Sequence, residues 1–317
     1  MRNFNYMLLC GALASSLLAP GCSNDDAFKT PDTSGAPPTG IADQNSFSLA
    51  RDLVAVEGQS FDGLISNVTA RVADRHNHPV PDGTIVHFLT NGGAITPQCE
   101  TTDGVCSVPW NSQNPRPATG IARIIAYSDG EESFIDLNDN DKFDAGETFT
   151  DTSEPYIDAN GNGVFDPGVE EFVDRDNDHT FDAPDGLYTG QSCVGDNTVC
   201  NRTTLYTWNA VPIIMSSSTA VISFFPATLS LNAKASSPIT IVVLDTFGNQ
   251  MAAGSEVKVS ATEGSTDKST FTVGNGTVIF NILYTAPDTA VADLLSVTVT
   301  SPESHTETVA VLPISVL

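Results

Sequence analysis

Three short acidic phrases recur within residues 134–185 of this 317-residue chain. Each phrase begins with an aromatic and then a β-branched residue, and it places Asp or Asn at positions 1, 3, 5 and 9 of a loop, with Phe at position 8. The phrases are residues 134–144, 156–166 and 172–182. Side-chain oxygens at alternate positions of a tight turn point inward, so each phrase can surround a hard cation with oxygen atoms.

This oxygen spacing predicts calcium loops, because calcium takes about six to eight oxygen ligands. We define the first loop as residues 136–147, the second loop as residues 158–170 and the third loop as residues 174–185, each numbered from its first Asp. The predicted ligands are Asp136, Asn138, Asn140, Asp144 and Glu147 in the first loop, Asp158, Asn160, Asn162, Asp166 and Glu170 in the second, and Asp174, Asp176, Asp178, Asp182 and Asp185 in the third.

The loops resemble the calcium loops of EF-hand and dockerin proteins, which implies calcium as the cofactor. They depart from that pattern at position 6, where Asp141 and His179 stand in place of the glycine that the second loop has as Gly163. In the second loop Val169 holds position 12 and Glu170 comes one place late. Gly, Pro and Thr surround the loops without any 3.6-residue apolar stripe, so we expect loops that lack the flanking helices.

The alternative interpretation is a solvated acidic linker, which charge runs often are. Residues 129–186 contain 19 Asp or Glu against Lys142 and Arg175, a net charge of −17 out of the chain's −26. A linker gives no reason for Phe143, Phe165 and Phe181 to recur at the same step of each phrase. This recurrence favours loops that pack and that bind a cation.

Residues 1–21 have the pattern of a targeting segment, with Arg2 before an apolar run that ends at Cys22. The run resembles a bacterial lipoprotein signal, which implies lipidation of Cys22 and a membrane lipid anchor. Ser23 after the cysteine implies the outer membrane, facing the periplasm or the cell surface. Ordinary secretion with Cys22 as a free thiol is the alternative. Residues 22–45, rich in Ser, Thr, Pro and Gly, are predicted to be a flexible tether.

Four further cysteines form two pairs, each seven residues apart, and they allow three connectivities. We expect local disulfides, Cys99–Cys106 and Cys193–Cys200, each stabilising by about 2.5 kcal/mol on the chain-entropy estimate. Zinc is the alternative, but this spacing matches no common zinc site.

The body of the chain contains an internal repeat. Residues 68–89 align with residues 239–260 at a constant offset of 171, which places Asp74 on Asp245 and Val86 on Val257. Short period-2 apolar runs separated by Gly, Pro, Asn and Asp predict an all-β fold. We therefore predict two tandem Ig-like β-sandwich domains, residues 46–218 and 219–317. The acidic segment, residues 129–202, is an insertion into the first domain and is called the insert below.

Residues 68–74, 79–88 and 102–108 resemble the bacterial immunoglobulin-like domains of invasin and intimin, in which a strand, a Pro-containing bend, a second strand and an Asp-x-Gly hairpin follow in this order. The resemblance covers residues 48–128 well and 220–317 more weakly. It implies an extracellular structural or adhesive module and not an enzyme.

We therefore expect a non-enzymatic envelope protein that binds a protein or glycan partner. The sequence has no nucleophile, phosphate-binding or zinc-protease motif. A net charge of −26 also argues against nucleic acid as a partner. The alternative function is a carbohydrate-binding or accessory subunit of an envelope complex, with Trp110, Tyr206 and Trp208 as candidate sugar-stacking residues. Packing of Tyr206 and Trp208 against the insert or between domains is the other interpretation.

Overall fold

The computed structural model describes residues 36–317, so the predicted signal peptide, Cys22 and most of the predicted tether lie outside the described residues. Within residues 36–317 the regular structure consists of β-strands and one 3-10 helix, Gln44–Ser46. This part of the chain contains no helix with the length and apolar character needed to cross a bilayer.

Twelve strands build the first sandwich and the ends of the insert. They are β1 (Ala42–Asp43), β2 (Phe47–Arg51), β3 (Ala55–Val56), β4 (Ile65–Val72), β5 (Ile85–Thr90), β6 (Ala94–Ile95), β7 (Gln98–Glu100), β8 (Val105–Asn111), β9 (Ile121–Glu131), β10 (Tyr188–Thr189), β11 (Cys200–Asn201) and β12 (Leu205–Met215). One sheet has the order β3-β12-β9-β5-β7, with β1 beside β9, and the other has the order β2-β4-β8-β6.

Nine strands build the second sandwich. They are β13 (Ala220–Phe225), β14 (Leu229–Leu231), β15 (Ser236–Asp245), β16 (Glu256–Ala261), β17 (Ser265–Thr266), β18 (Thr270–Thr272), β19 (Ile279–Thr285), β20 (Ala292–Thr300) and β21 (Glu307–Val316). The sheet orders are β14-β21-β20-β16-β18 and β13-β15-β19-β17.

The two sandwiches have the same strand topology. In each, the first long strand lies in one sheet, and the next short strand, β3 or β14, crosses to the other sheet and pairs in parallel with the last strand. Every strand of the second sandwich has a counterpart at the same sheet position in the first. The predicted all-β class with two tandem Ig-like sandwiches is confirmed.

Each sandwich has its own apolar core, because alternate residues of its strands face inward. Strand β4 shows this alternation, since Val68, Ala70 and Val72 are buried while their neighbours are more exposed. In β15 the aligned residues Ile239 and Ile241 are buried in the same way. The sequence repeat therefore corresponds to two separate apolar cores with the same strand arrangement.

A disulfide joins the two sheets of the first sandwich. Cys99 in β7 is bonded to Cys106 in β8, and their Cα atoms are 6.0 Å apart. Trp110, also in β8, is fully buried and donates a hydrogen bond from Nε1 to Gly92 O at 2.7 Å. Trp110 is therefore a core residue that offers no surface to a sugar.

Residues 129–131, the first of the predicted insert, belong to β9, so the insert in the structure lies between Glu131 and Leu205, the first residue of β12. In the second sandwich the equivalent strands, β20 and β21, are joined by residues 301–306 alone. Strand β1 pairs in parallel with the end of β9, with Ala42 opposite Gly130. Among the described residues, regular secondary structure begins at Ala42, within the segment 22–45 that was predicted to be a tether.

Candidate metal centre

The three loops share one backbone path. In each loop the second oxygen of the position 1 Asp accepts a hydrogen bond from the position 6 N–H, at 2.7 Å in the first loop and 2.9 Å in the second and third. The residues at positions 4 and 6 have positive φ in all three loops, including Asp141 at 59° and His179 at 66°. The non-glycine residues at position 6 thus adopt the turn conformation that Gly163 adopts in the second loop.

The side chains at positions 3, 5 and 9 converge in the first two loops. Asn138 and Asn140 both donate from Nδ2 to Asp144 Oδ2, at 2.9 and 2.7 Å. Asn160 and Asn162 repeat these contacts with Asp166 Oδ2, at 2.6 and 3.0 Å. Because an amide carries an oxygen as well as a nitrogen, the same side chains can present oxygen to a cation after a rotation of the amide.

The third loop has carboxylates where the other two loops have amides. Oxygen atoms of Asp174, Asp176 and Asp178 lie within 4.8 Å of one another, a group that can hold a metal ion. Burial raises the pKa of Asp182 at position 9, and the negative charges of Asp176, Asp178 and Asp174 raise it further. In this loop no side-chain amide bonds to the position 9 carboxylate, as the Asn residues do in the other two loops.

A glutamate closes each of the first two loops by accepting two backbone N–H groups, those of positions 2 and 9. In the first loop Glu147 accepts from Leu137 at 2.8 Å and from Asp144 at 3.0 Å. In the second loop Glu170 accepts from Ala159 at 2.8 Å and from Asp166 at 3.1 Å. Glu170 thus closes its loop although it comes one residue later than Glu147 does.

The third loop is closed by a residue that the sequence pattern did not indicate. Glu154 accepts from Arg175 N at 2.7 Å and from Asp182 N at 3.1 Å, the same positions 2 and 9. Asp185, which was predicted for this role, instead accepts from the N–H of Leu187 at 2.8 Å. Because Glu154 precedes the third loop by a whole loop, ligand spacing gave no signal for it.

The loop arrangement occurs a fourth time in discontinuous form. Asp151 accepts from the N–H groups of Asp185 and Gly186, at 3.1 and 2.7 Å, as a position 1 Asp does. Glu132 accepts from the N–H groups of Thr152 and Thr189, both at 2.7 Å, as a closing glutamate does. The second loop and most of the third lie between the two halves of this split loop, so its pattern is not visible in the sequence.

The split loop is strongly acidic. Burial, together with the charges of Asp151 and Asp185, raises the pKa of Glu132 to about 7 in spite of its two N–H donors. Glu132, Asp185 and Asp182 line a polar cavity of about 590 Å³.

Aromatic side chains form two apolar centres, one beneath the second and third loops and one beneath the first loop. Phe165 and Phe181, both at position 8, stack with their ring centroids 4.1 Å apart, with Tyr156 and Phe172 edge-on to them. The same arrangement recurs under the first loop, where the members are Phe143, Tyr188, Phe134 and Phe149. Offset stacks and edge-on contacts are the favoured geometries of aromatic pairs.

The first loop rests on a disulfide-closed turn. Cys193 and Cys200 are bonded, with Cα atoms 5.9 Å apart. Phe143 N donates to Ser192 O at 2.9 Å, and Val194 N donates to Phe143 O at 3.3 Å. The disulfide-closed turn therefore lies beside the first loop, at the position that the third loop has beside the second.

Side chains of the first sandwich hold the insert in place. Arg75 lies over the Phe134 ring at 3.8 Å, and its guanidinium is 3.9 Å from Asp136 Oδ2. Trp208 packs edge-on against Tyr156, and its Nε1 donates to Ser153 O at 3.1 Å. Trp208 is therefore half-buried and engaged with the insert through both its ring and its Nε1.

No protein-family model matches the sequence, and no curated protein sequence matches it. Among solved structures, the adhesin InvE of Yersinia pseudotuberculosis is similar with a TM-score of 0.28 and 10% identity, over 88% of this chain and 61% of that chain. The D0-D1 domain of intimin is similar with a TM-score of 0.26 and 12% identity, over 84% of this chain and 97% of that chain.

A chimeric titin Z1Z2 that carries a decorin peptide is similar with a TM-score of 0.28 and 10% identity, over 89% of this chain and 99% of that chain. The match to InvE leaves more than a third of that adhesin chain uncovered.

Proposed function

We propose that the insert binds calcium at its acidic loops, in a non-enzymatic cell-envelope lipoprotein whose Ig-like sandwiches act in adhesion or as a structural and interaction module. The first and second loops use the ligands predicted for them. In the third loop Asp174, Asp176, Asp178 and Asp182 supply oxygens.

One observation carries the proposal. Three segments with different residues at position 6 adopt the same turn, and in each of them the position 1 Asp and a closing glutamate accept backbone N–H groups of the loop. A solvated linker would not be expected to repeat the same turn and the same hydrogen bonds three times. Oxygen atoms arranged around one point are what a hard divalent cation requires.

Charge explains why a cation would matter to the fold. Two carboxylates about 4 Å apart repel by about 1 kcal/mol in water and by about 4 kcal/mol at an effective dielectric constant of 20. The insert concentrates carboxylates over two small aromatic centres, as in the group Asp174, Asp176 and Asp178. Calcium would remove the repulsion and hold the loops closed.

Through contacts between the insert and the first sandwich, calcium binding in the loops would affect the domain that carries them. Arg75 touches the first loop, and Trp208 of β12 packs on the second loop's aromatic centre. Ordering of the loops would therefore stiffen the end of the first sandwich that carries them. A lipid anchor at Cys22 would hold the chain at the outer membrane, where a protein or glycan partner would meet the ordered insert.

Calcium titration of the full-length chain tests the proposal. We expect calorimetric heat at two or three sites with micromolar to millimolar affinity, and a higher thermal midpoint with calcium than with a chelator. The matched control is a variant in which a short turn with the sequence of residues 301–306 replaces residues 133–203; it should keep both sandwiches and lose the calcium response. Absence of heat together with an unchanged midpoint in the full-length chain would contradict calcium binding.

A further inference from the structure

The third loop depends on the segment in front of the second loop. Its closing residue, Glu154, precedes Asp174 by 20 residues, whereas Glu147 and Glu170 follow the first Asp of their own loops. The first and second loops can therefore close on their own. The third closes only when the chain before the second loop has folded back beside it.

The hydrogen bonds of Glu154 fix this dependence. Its carboxylate is buried and accepts from Arg175 N and Asp182 N, at 2.7 and 3.1 Å, so it holds both ends of the third loop. The N–H of Glu154 in turn donates to Asp182 O at 3.0 Å. Side chain and backbone thus attach the same residue to the end of the third loop.

The second and third loops are paired along their entry strands as well. Tyr156 and Phe172 form an antiparallel bridge, flanked by the hydrogen bonds Ile157 N to Glu171 O at 2.9 Å and Val173 N to Pro155 O at 2.8 Å. These bonds lie between Glu154 and the second loop. The paired strands therefore connect Glu154 to the start of the second loop.

We propose that Glu154 is a positioning residue that joins the second and third loops into one coupled calcium-binding unit, while the first loop binds independently. This inference rests on the proposed calcium function. An ion in the second loop would order the paired strands, place Glu154, and so prepare the third loop. Coupling of this kind is reciprocal, so an ion in the third loop would strengthen binding in the second by the same factor.

The first test weakens calcium binding at one loop at a time in the full-length chain. Asp158→Asn weakens the second loop and Asp174→Asn the third, and calcium binding at the remaining loops is followed by calorimetry and by Trp208 emission. Trp208 is a suitable reporter because its ring centroid lies 5.4 Å from that of Tyr156. We expect each substitution to lower the affinity of the other loop of the pair by about tenfold, within the usual range of coupling.

Asp136→Asn is the matched control, because it weakens the first loop by the same chemistry. It should leave the affinities of the second and third loops unchanged. Equal effects of all three substitutions on the remaining sites would show a general loss of charge instead of specific coupling, and would overturn the proposal.

The second test addresses Glu154 itself. Glu154→Gln should keep calcium binding at the second loop and abolish the effect of that ion on the third, while Asp185→Asn should preserve the coupling. If Asp185→Asn removes the coupling and Glu154→Gln does not, the assignment to Glu154 is wrong. Should Glu154→Gln misfold, the reciprocal effects of Asp158→Asn and Asp174→Asn still decide whether the loops are coupled. If the unaltered chain shows no calorimetric heat with calcium, the proposed function itself is wrong.

Discussion

At several points of this chain, one buried carboxylate accepts hydrogen bonds from several backbone N–H groups. Asp74 accepts hydrogen bonds from two N–H groups of its own turn and a third, at 2.7 Å, from Thr39 N at the entry to the first sandwich. Asp245, its partner in the sequence repeat, accepts in the same way from its turn and from Ser217 N at 3.2 Å. The repeated Asp therefore marks where the chain enters each domain.

Asp293 is another buried carboxylate that accepts several hydrogen bonds. Burial by itself would raise the pKa of Asp293, but hydrogen bonds from Tyr284 Oη at 2.6 Å and from the N–H groups of Glu263 and Gly264 outweigh it and hold this pKa below its usual value. A carboxylate with a lowered pKa in the folded state stabilises the fold above its unfolded pKa of about 3.9, and the contribution is lost as pH falls through the folded value.

We therefore expect Asp293→Asn to lower the free energy of unfolding of the second sandwich by about 1–3 kcal/mol at neutral pH, with a smaller difference from the unaltered chain as the pH falls below about 4. Thermal unfolding between pH 7 and pH 3 measures both effects. The control is Asp288→Asn, a change at an exposed side chain 3.9 Å from Lys234, which should have little effect. A destabilisation that stays constant down to pH 3 would contradict the assignment.

At the scale of elements, the insert consists of two similar units. The second and third loops with their four aromatic rings form one unit, and the first loop with Tyr188 and the disulfide-closed turn forms the other. The unit with the first loop lacks a second complete acidic loop at the turn, and there the Cys193–Cys200 disulfide fixes the chain. The disulfide-closed turn in one unit therefore occupies the position that the third loop, a candidate ion site, occupies in the other.

This equivalence predicts a selective effect of the disulfide. The double substitution Cys193→Ser with Cys200→Ser should lower the calcium affinity of the first loop more than that of the second and third, because Phe143 hydrogen bonds to the disulfide turn. The chain-entropy estimate for such a short loop is about 2.5 kcal/mol.

Calcium titration with and without the disulfide provides the measurement. The matched control is the pair Cys99→Ser with Cys106→Ser, which removes the disulfide of the first sandwich. An equal loss of affinity at all loops in the Cys193 and Cys200 variant would argue against a local supporting role.

At the scale of the whole molecule, polar contacts hold the two sandwiches together. Glu57 of the first sandwich is buried and accepts from the N–H groups of Glu303 and Ser304, at 2.8 and 3.2 Å, in the turn between β20 and β21. Asn275 of the second sandwich donates to Asp52 O at 2.8 Å. Both contacts engage turns at one end of the second sandwich, the end that corresponds to the insert-bearing end of the first.

Removing the Glu57 contact should loosen this junction. In Glu57→Ala the two N–H groups lose a charged acceptor, which costs about 1–3 kcal/mol of contact energy, while both sandwich cores remain intact. Small-angle scattering should then report a larger radius of gyration with unchanged thermal unfolding of each sandwich. Glu100→Ala, on an exposed strand position, is the control. A radius of gyration equal to that of the unaltered chain would show that the other contacts suffice.

Features that depend on neighbours in the chain could be predicted from the residues alone. Period-2 apolar runs identified the all-β class, a constant offset identified the two sandwiches, and the recurrent Phe at position 8 identified the residues that stack under the loops. Cys99–Cys106 and Cys193–Cys200 are also paired as the local spacing suggested. Each of these signals acts over a few residues or repeats at a fixed interval, so it can be read without knowing the fold.

Long-range packing selects the distant residues that complete the loops. Glu154 closes the third loop from the far side of the second, and Asp185 belongs with Asp151 and Glu132 in the split loop. The buried position of Trp110 likewise follows from the packing of two sheets. Ligand spacing along the chain cannot show such partnerships, because they form only after the intervening segment has folded and brought its two ends together.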